Sequence, residues 1–224
     1  DKRTDAGLVL GGRLIERCPI GCEGDLVETT IVLPEGALCR CQACGQLVSQ
    51  ITAPAFTRSM KEFDRPKGTL PTQHTQRRHD ARAAKLFGTV ASLVPSWPGG
   101  AARLLDIGCS SGALLKSAKQ HGFDAEGVEP APQAAEFAAS TGLKVFQGYL
   151  HDARYPAASF DAVTLMEVIE HLPNPSALLK EVWRVLKPEG VLVVGTGNGM
   201  SWTVQLVGAR WGYFQVAEHG GHIS

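Results

Sequence analysis

Two carboxylates beside a glycine turn carry the first chemistry that can be read from this chain. In LLDIGCSSGALL, Leu104 to Leu115, a short apolar run passes into a turn bearing Gly108 and Gly112 and then into a helical pattern. Glycines there let backbone N–H groups approach a ligand closely, and a helix that begins at Gly112 offers the ligand its positive end. About twenty residues later Glu129 closes the next strand, where a carboxylate can accept hydrogen bonds from both hydroxyls of a ribose. Asp106, just before the glycines, would repel a pyrophosphate but suits a ligand with a cationic end such as the amino group of a methionine moiety. GCSSG also lacks the full GxGxxG of dinucleotide sites. These residues therefore favour S-adenosylmethionine over a nicotinamide dinucleotide, with Cys109 and Ser110 inside the loop and Pro130 after the acid as further contacts.

A second constellation is Glu167, Glu170 and His171, in MEVIEHLPNP. Imidazole titrates near neutral pH, which makes His171 the candidate general base on a substrate hydroxyl, with Glu170 and Glu167 beside it. The alternative is that Glu170 and His171 only fix the turn before Pro173.

The third is a cysteine cluster. The chain has six cysteines, five of them in its first fifth, too few for a disulfide scaffold and crowded as metal ligands are. Cys18-x-x-x-Cys22 and Cys41-x-x-Cys44-Gly45 form two knuckle-like pairs close to zinc-ribbon spacing. Four thiolates leave no open position for chemistry, so the expected zinc is structural. Cys39 competes with Cys41, and Cys41 is preferred for its x-x spacing to Cys44. Cys109 stands apart and reads as a small packed residue.

Positioning these groups requires elements with the right periods. Cys18 to Val48 reads as strands and turns, with β-branched ETTIV at Glu28–Val32 and a turn at Pro34–Gly36. Residues 57–76 are polar and carry Pro66, Gly68 and Pro71, the marks of a linker. Ala83, Leu86, Phe87, Val90, Leu93 and Val94 recur at helical spacing until Pro95. From Ala102 strands alternate with helices: Arg103–Ile107, Ala113–Gln120, Phe123–Glu129, Pro132–Ser140, Leu143–Phe146, Asp161–Met166, Pro175–Leu186 and Val191–Gly195. Such alternation requires crossovers. It predicts an α/β fold with a doubly wound, mostly parallel sheet, plus a small N-terminal zinc-ribbon-like module. The expected organisation is a module over 1–56, a basic linker and lead-in helix over 57–100, and the cofactor-binding domain over 101–224.

DIGCSSG, GVEP, SFDAVTLMEVIEHLPNP and EVWRVLKPEGVLVV, in that order and spacing, resemble the core of class I S-adenosylmethionine-dependent methyltransferases, particularly bacterial small-molecule and sugar methyltransferases. The resemblance covers roughly Ala102 to Asn198. It implies that Asp106, Gly108 and Gly112 hold the methionine end, that Glu129 holds the ribose, and that Tyr149 and Leu150 flank the adenine. Met166 and Glu167 would close the site. It also implies a small-molecule acceptor, a sugar among them, at oxygen or carbon; a nucleotide-linked or carrier-bound acceptor is suggested instead by the basic residues between Arg58 and Lys85. In some members of this family an E-x-x-E-H cluster binds a divalent metal, which makes Glu167, Glu170 and His171 alternative ligands. A related cysteine arrangement occurs at the N-terminus of several sugar methyltransferases.

The same comparison marks departures. Ser110 stands where such loops often carry a third glycine, so a fit without strain needs ordinary backbone dihedrals there. The residues after Gly195 are too few for the two further strands that such sheets usually add. In the family a stretch like WGYF…EHGGHIS lines the substrate site, which nominates Trp211, Tyr213, Glu218, His219 and His222.

Charge and hydropathy exclude other classes. Lys+Arg and Asp+Glu are 22 each, so no general attraction to nucleic acid or anionic membrane is expected. Locally, Arg58, Lys61, Arg65, Lys67, Arg77, Arg78, Arg82 and Lys85 outnumber Glu62, Asp64 and Asp80, and either grip phosphate or form a solvated helix face. No apolar run reaches the about 20 residues of a membrane span, and no secretory signal stands at the start, from which a cytoplasmic location is expected. Two other functions stay open on the sequence: an NAD-type oxidoreductase, and a zinc-ribbon binding module fused to a degenerate cofactor domain.

Overall fold

The computed structural model describes residues 12–61, 72–93, 101–199, 201–211 and 221–222. Arg65, Lys67, Val94, Tyr213, Glu218 and His219 lie outside them, as do the side chains of Leu93 and His222. The chain divides into two compact units, one made of Asp1–Lys61, Glu170–Asn174 and Gly197–Ser224, the other of Glu62–Ile169 and Pro175–Thr196.

The first unit opens with strand β1 (Leu26–Leu33), which turns at Pro34 and Glu35 into β2 (Gly36–Cys41), pairs with it antiparallel, and is followed by β3 (Leu47–Val48) and helix α1 (Ala53–Met60). Of the stretch 57–76 expected as linker, residues 57–60 are the end of α1 and residues 73–76 the start of the next helix (Gln73–Leu93), since Pro66, Gly68 and Pro71 lie between the two in sequence and interrupt neither.

The second unit carries the sheet. Helix α2 (Gln73–Leu93) leads in, then β4 (Arg103–Ile107), α3 (Ala113–Gln120), β5 (Asp124–Glu129), α4 (Pro132–Ser140), β6 (Lys144–Gln147), α5 (Leu150–Ala153), β7 (Phe160–Met166), α6 (Pro175–Val185) and β8 (Leu186–Gly195). The strand order is β6-β5-β4-β7-β8, and every pairing is parallel. The first strand thus lies in the middle, and the chain winds outward from it in both directions. That arrangement opens a crevice at the carboxyl ends of β4 and β7.

Alternation along the strands sorts the core into two layers. Leu104 and Ala162 join Phe87, Val90, Leu115 and Ala118 on the face covered by α2 and α3. Leu105, Ile107, Val163 and Leu165 join Val182 and Val185 on the face covered by α6. Phe87 is fully buried and meets Phe123 edge-on, with ring centroids 5.3 Å apart, a contact worth about 1 kcal/mol beyond its area. Pro132 in the first turn starts α4, and Gly122, in left-handed conformation, ends α3.

The KPEG segment is looped out of β8: Phe160 faces Leu186 and Ala162 faces Val191, so residues 187–190 have no partner on β7. Asp161 staples this edge, since one oxygen takes Lys187 Nζ at 2.7 Å and the other the backbone N–H of Arg103 at 2.8 Å.

Beyond Gly195 the chain adds no strand to this sheet among the described residues. Helix α7 (Trp202–Val207) places Val204 against Leu33, Leu38 and Leu47 of the first unit. Strand β9 (Gly221–His222) pairs with β3. No helix among the described residues is long and apolar enough to cross a membrane.

Candidate cofactor site

One transverse row of the parallel sheet organises the site. Val145, Gly127, Asp106, Thr164 and Val193 face one another across β6, β5, β4, β7 and β8. Asp106 is therefore a carboxylate in an otherwise apolar layer. Thr164, fully buried, donates its hydroxyl to Asp106 Oδ1 at 2.6 Å. Among the described residues nothing donates to Asp106 Oδ2. Burial pushes the Asp106 carboxyl up to about 7, the Thr164 hydroxyl works against that, and the charge of Glu129 adds to it. A buried acid with one oxygen lacking a protein donor fits a cationic ligand group.

The loop after β4 follows from its glycines. Gly108 has φ 73, and a Cβ there would lie 2.5 Å from Val168 Cγ2. Gly112, at φ 78, is the N-cap of α3 and packs where a Cβ would run into Leu143. Between them Ser110 has φ 49, so the ordinary dihedrals required of a serine in this loop are not what the structure adopts. The left-handed turn is imposed by the path of the loop and kept by a hydrogen bond: Ser110 N–H donates to Glu129 Oε2 at 2.8 Å.

Glu129 Oε1 accepts the N–H of Ala131 at 2.8 Å, which fixes the turn at Pro130. Burial raises the Glu129 carboxyl above its usual range against these two donors. Each oxygen keeps acceptor capacity for a hydroxyl. Cys109 lies 5% exposed, with its sulfur where Gly127 leaves room: a Cβ on Gly127 would be 2.5 Å from Cys109 Sγ. Burial, helped by the charges of Asp106 and Glu129, pushes its thiol far up, which leaves a packed and unreactive group.

The remaining expected contacts occupy neighbouring strand ends. Gly148 N–H donates to the carbonyl of Glu129 at 3.0 Å, which sets the next residue, Tyr149, close to the acid. Tyr149 is 55% exposed and caps α5, while Leu150 is buried in the opposite core layer. Met166 ends β7 opposite Gly195, packed so closely that a Cβ on Gly195 would lie 2.6 Å from its sulfur. Glu167 follows in the left-handed region at φ 56, held by its N–H to the carbonyl of Gly195 at 2.7 Å. A non-glycine residue kept there costs about 1 kcal/mol or more, and such strain concentrates at functional sites. Glu170 is fully buried and His171 half-buried, in a 3-10 turn at Ile169–His171.

The first unit gathers Cys18, Cys22, Cys41 and Cys44, whose sulfurs all lie within 4.8 Å of one another. Neighbouring pairs stand 3.5 Å (Cys18 and Cys44) and 3.3 Å (Cys22 and Cys41) apart. A tetrahedral zinc with bonds of about 2.3 Å would hold them about 3.8 Å apart, so the donor set fits. The N–H of Cys44 draws the Cys41 thiol down to about 6. Cys39 is excluded; its sulfur receives Arg13 Nη1 at 3.5 Å. Among the described residues these four cysteines are the one such cluster, so the alternative of a metal on Glu167, Glu170 and His171 is not assembled.

A family model described as "Methyltransferase domain" matches residues 73–224. The chain belongs to this methyltransferase-domain family. The chain is 34% identical over 119 residues to a ubiquinone biosynthesis O-methyltransferase of Xanthomonas oryzae pv. oryzae, a match covering 49% of this chain and 50% of that protein. A relative of the same name in Escherichia coli O127:H6 is 33% identical over 121 residues, covering 49% of each. The chain thus spans about half the length of the curated relatives it matches.

Among solved structures, a Thermotoga maritima methyltransferase described as a possible histamine N-methyltransferase is 24% identical with a TM-score of 0.52, over 76% of this chain and 73% of that one. The plantazolicin methyltransferase, solved in complex with SAH, is 16% identical with a TM-score of 0.52, over 74% of this chain and 68% of that one. These likenesses concern the fold. One member of its acid row, Thr164, was absent from the sequence reading. The signal was present in DAVTLM, a hydroxyl inside an otherwise apolar strand.

Proposed function

We propose that the chain is an S-adenosylmethionine-dependent methyltransferase that methylates a small-molecule acceptor, with a structural zinc on Cys18, Cys22, Cys41 and Cys44. The observation that carries the reading is Asp106 together with Glu129: two buried carboxylates at adjacent strand ends, close enough for the charge of one to raise the other. A positive ligand group would relieve the raised Asp106 carboxyl, and the two acids disfavour the pyrophosphate of a nicotinamide dinucleotide.

In this reading Asp106 takes the amino group of the methionine moiety, and Gly108, Cys109, Ser110 and Gly112 shape the turn against it. Glu129 takes the ribose hydroxyls, with Pro130 fixing its orientation. Tyr149 borders the adenine, and Met166 closes the reacting end. The bound cofactor supplies a methyl already activated by its sulfonium, so alignment does most of the work. His171 receives the proton from the acceptor hydroxyl, with Glu170 and Glu167 beside it. Oxygen as the acceptor atom is supported by the O-methyltransferase names of the relatives. A sugar or nucleotide-linked hydroxyl is the acceptor class to test first, with the cations of α2 as candidate phosphate grips.

Calorimetric titration with S-adenosylhomocysteine, in parallel with NAD, tests the cofactor assignment. Binding of the first alone, weakened by more than about tenfold in D106N and in E129Q, is expected. Binding of NAD alone, or of neither, would overturn it. H171A should keep cofactor binding while losing turnover by about a hundredfold or more.

A further inference from the structure

We propose that Thr164 is a positioning residue for the cofactor: its hydroxyl orients the Asp106 carboxylate so that Oδ2 is presented to the ligand's ammonium group. The inference rests on the methyltransferase reading above and adds a residue to it.

The register makes the contact obligatory. Asp106 and Thr164 are direct partners on neighbouring parallel strands, and both side chains rise on the same face of the sheet. Thr164 is fully buried and Asp106 3% exposed, so neither can turn to water instead. The hydroxyl has one proton and two acceptors within reach, Asp106 Oδ1 at 2.6 Å and the Leu105 carbonyl at 3.5 Å. The shorter contact takes the proton, and the β-branched side chain leaves little freedom at χ1 to change that. A hydroxyl given to one oxygen fixes the plane of the carboxylate, and Oδ2 is the oxygen left for a ligand.

The same contact sets the charge. An acid in this layer is driven toward its neutral form by burial, and the hydroxyl of Thr164 is the protein group that opposes this. The titratable groups acting around Asp106 are Glu129, from the end of β5, and Cys109, in the loop after β4, and neither stabilises a negative charge there. Without the hydroxyl, a larger share of Asp106 would be protonated at neutral pH and unable to pair with an ammonium ion. Valine, equal in shape and lacking the donor, separates the electrostatic role from packing.

The test is the affinity of the full chain for S-adenosylhomocysteine, titrated calorimetrically across pH, in the wild type, T164V and T164S. T164V should bind about ten- to a hundredfold more weakly at pH 7. Its affinity should recover with rising pH, the midpoint moving up by about one pH unit or more. T164S, which restores the donor, should return within about threefold of the wild type. T164A removes the same hydroxyl without a second methyl, and it carries the measurement should T164V fail to fold. Equal loss at every pH, or equal loss in T164S, would make Thr164 a packing residue and overturn the proposal. A wild type that binds no S-adenosylhomocysteine at any pH would instead overturn the cofactor assignment.

Discussion

The backbone N–H of Ser110 donates to Oε2 of Glu129 at 2.8 Å, tying the loop after β4 to the end of β5. The serine holds this contact at φ 49, a backbone region that glycine enters at no steric cost. S110G should keep the hydrogen bond and relieve the strain, raising stability by about 0.5–1 kcal/mol. Urea denaturation reads the gain, and calorimetry should find the affinity for S-adenosylhomocysteine equal to or above that of the wild type.

Asp106 and Glu129 make the ligand-free protein pH-sensitive in a direction opposite to that of an ordinary surface acid. Both carboxyls stand higher in the folded chain than in the unfolded one, Asp106 moving from 3.8 to about 7. Their contribution to stability is therefore complete below about pH 4 and is lost as pH rises through about 7. The melting temperature without ligand should fall between about pH 5 and about pH 8, and by less in D106N. Affinity for the cofactor should change the other way, rising as Asp106 ionises.

The cysteine geometry predicts one zinc ion per chain by mass spectrometry of the native protein. C41S should abolish the metal and destabilise the first unit, because four sulfurs within 4.8 Å substitute for a core that so small a sheet lacks. C39S should retain the zinc. A zinc-free C39S together with a zinc-loaded C41S would reverse the ligand assignment.

Gly127 is constrained by Cys109 rather than by its own backbone. G127A places a Cβ 2.5 Å from the Cys109 sulfur and 2.7 Å from Leu115 Cδ1, so a loss of about 1–3 kcal/mol is expected. C109A should recover part of that loss in the double variant, since Leu115 still resists. Thermal denaturation of the three proteins measures the coupling.

The parallel sheet was legible because strands alternate with helices that have a clear start or stop: Gly112 before α3, Pro132 at the head of α4, Gly122 after α3. Asp106 could be named because a carboxylate near the end of the apolar strand RLLDI is chemically conspicuous, and Glu129 because it ends the following strand about twenty residues on. Thr164 could not, since its meaning depends on a register between β4 and β7 that 58 residues of sequence separate. Cys41 was chosen over Cys39 on spacing, and the folded cluster agrees. Helix α1 was lost for a different reason: its breakers, Pro66 and Gly68, come after it, and composition averaged over 57–76 hid the boundary. The pairing of β9 with β3 joins opposite ends of the chain, beyond the reach of any local pattern.

Gly112 rests where a side chain would run into Leu143, so the cradle and the connection from α4 to β6 share a wall. Leu143 thereby acts as a set-screw on the mouth of α3, although it would touch no ligand itself. Trimming it is expected to loosen the turn from behind, and filling the notch to press on Gly112 until the turn can no longer close. A variant at this half-buried position is expected to change how the turn closes while every residue proposed to meet the cofactor stays as it is.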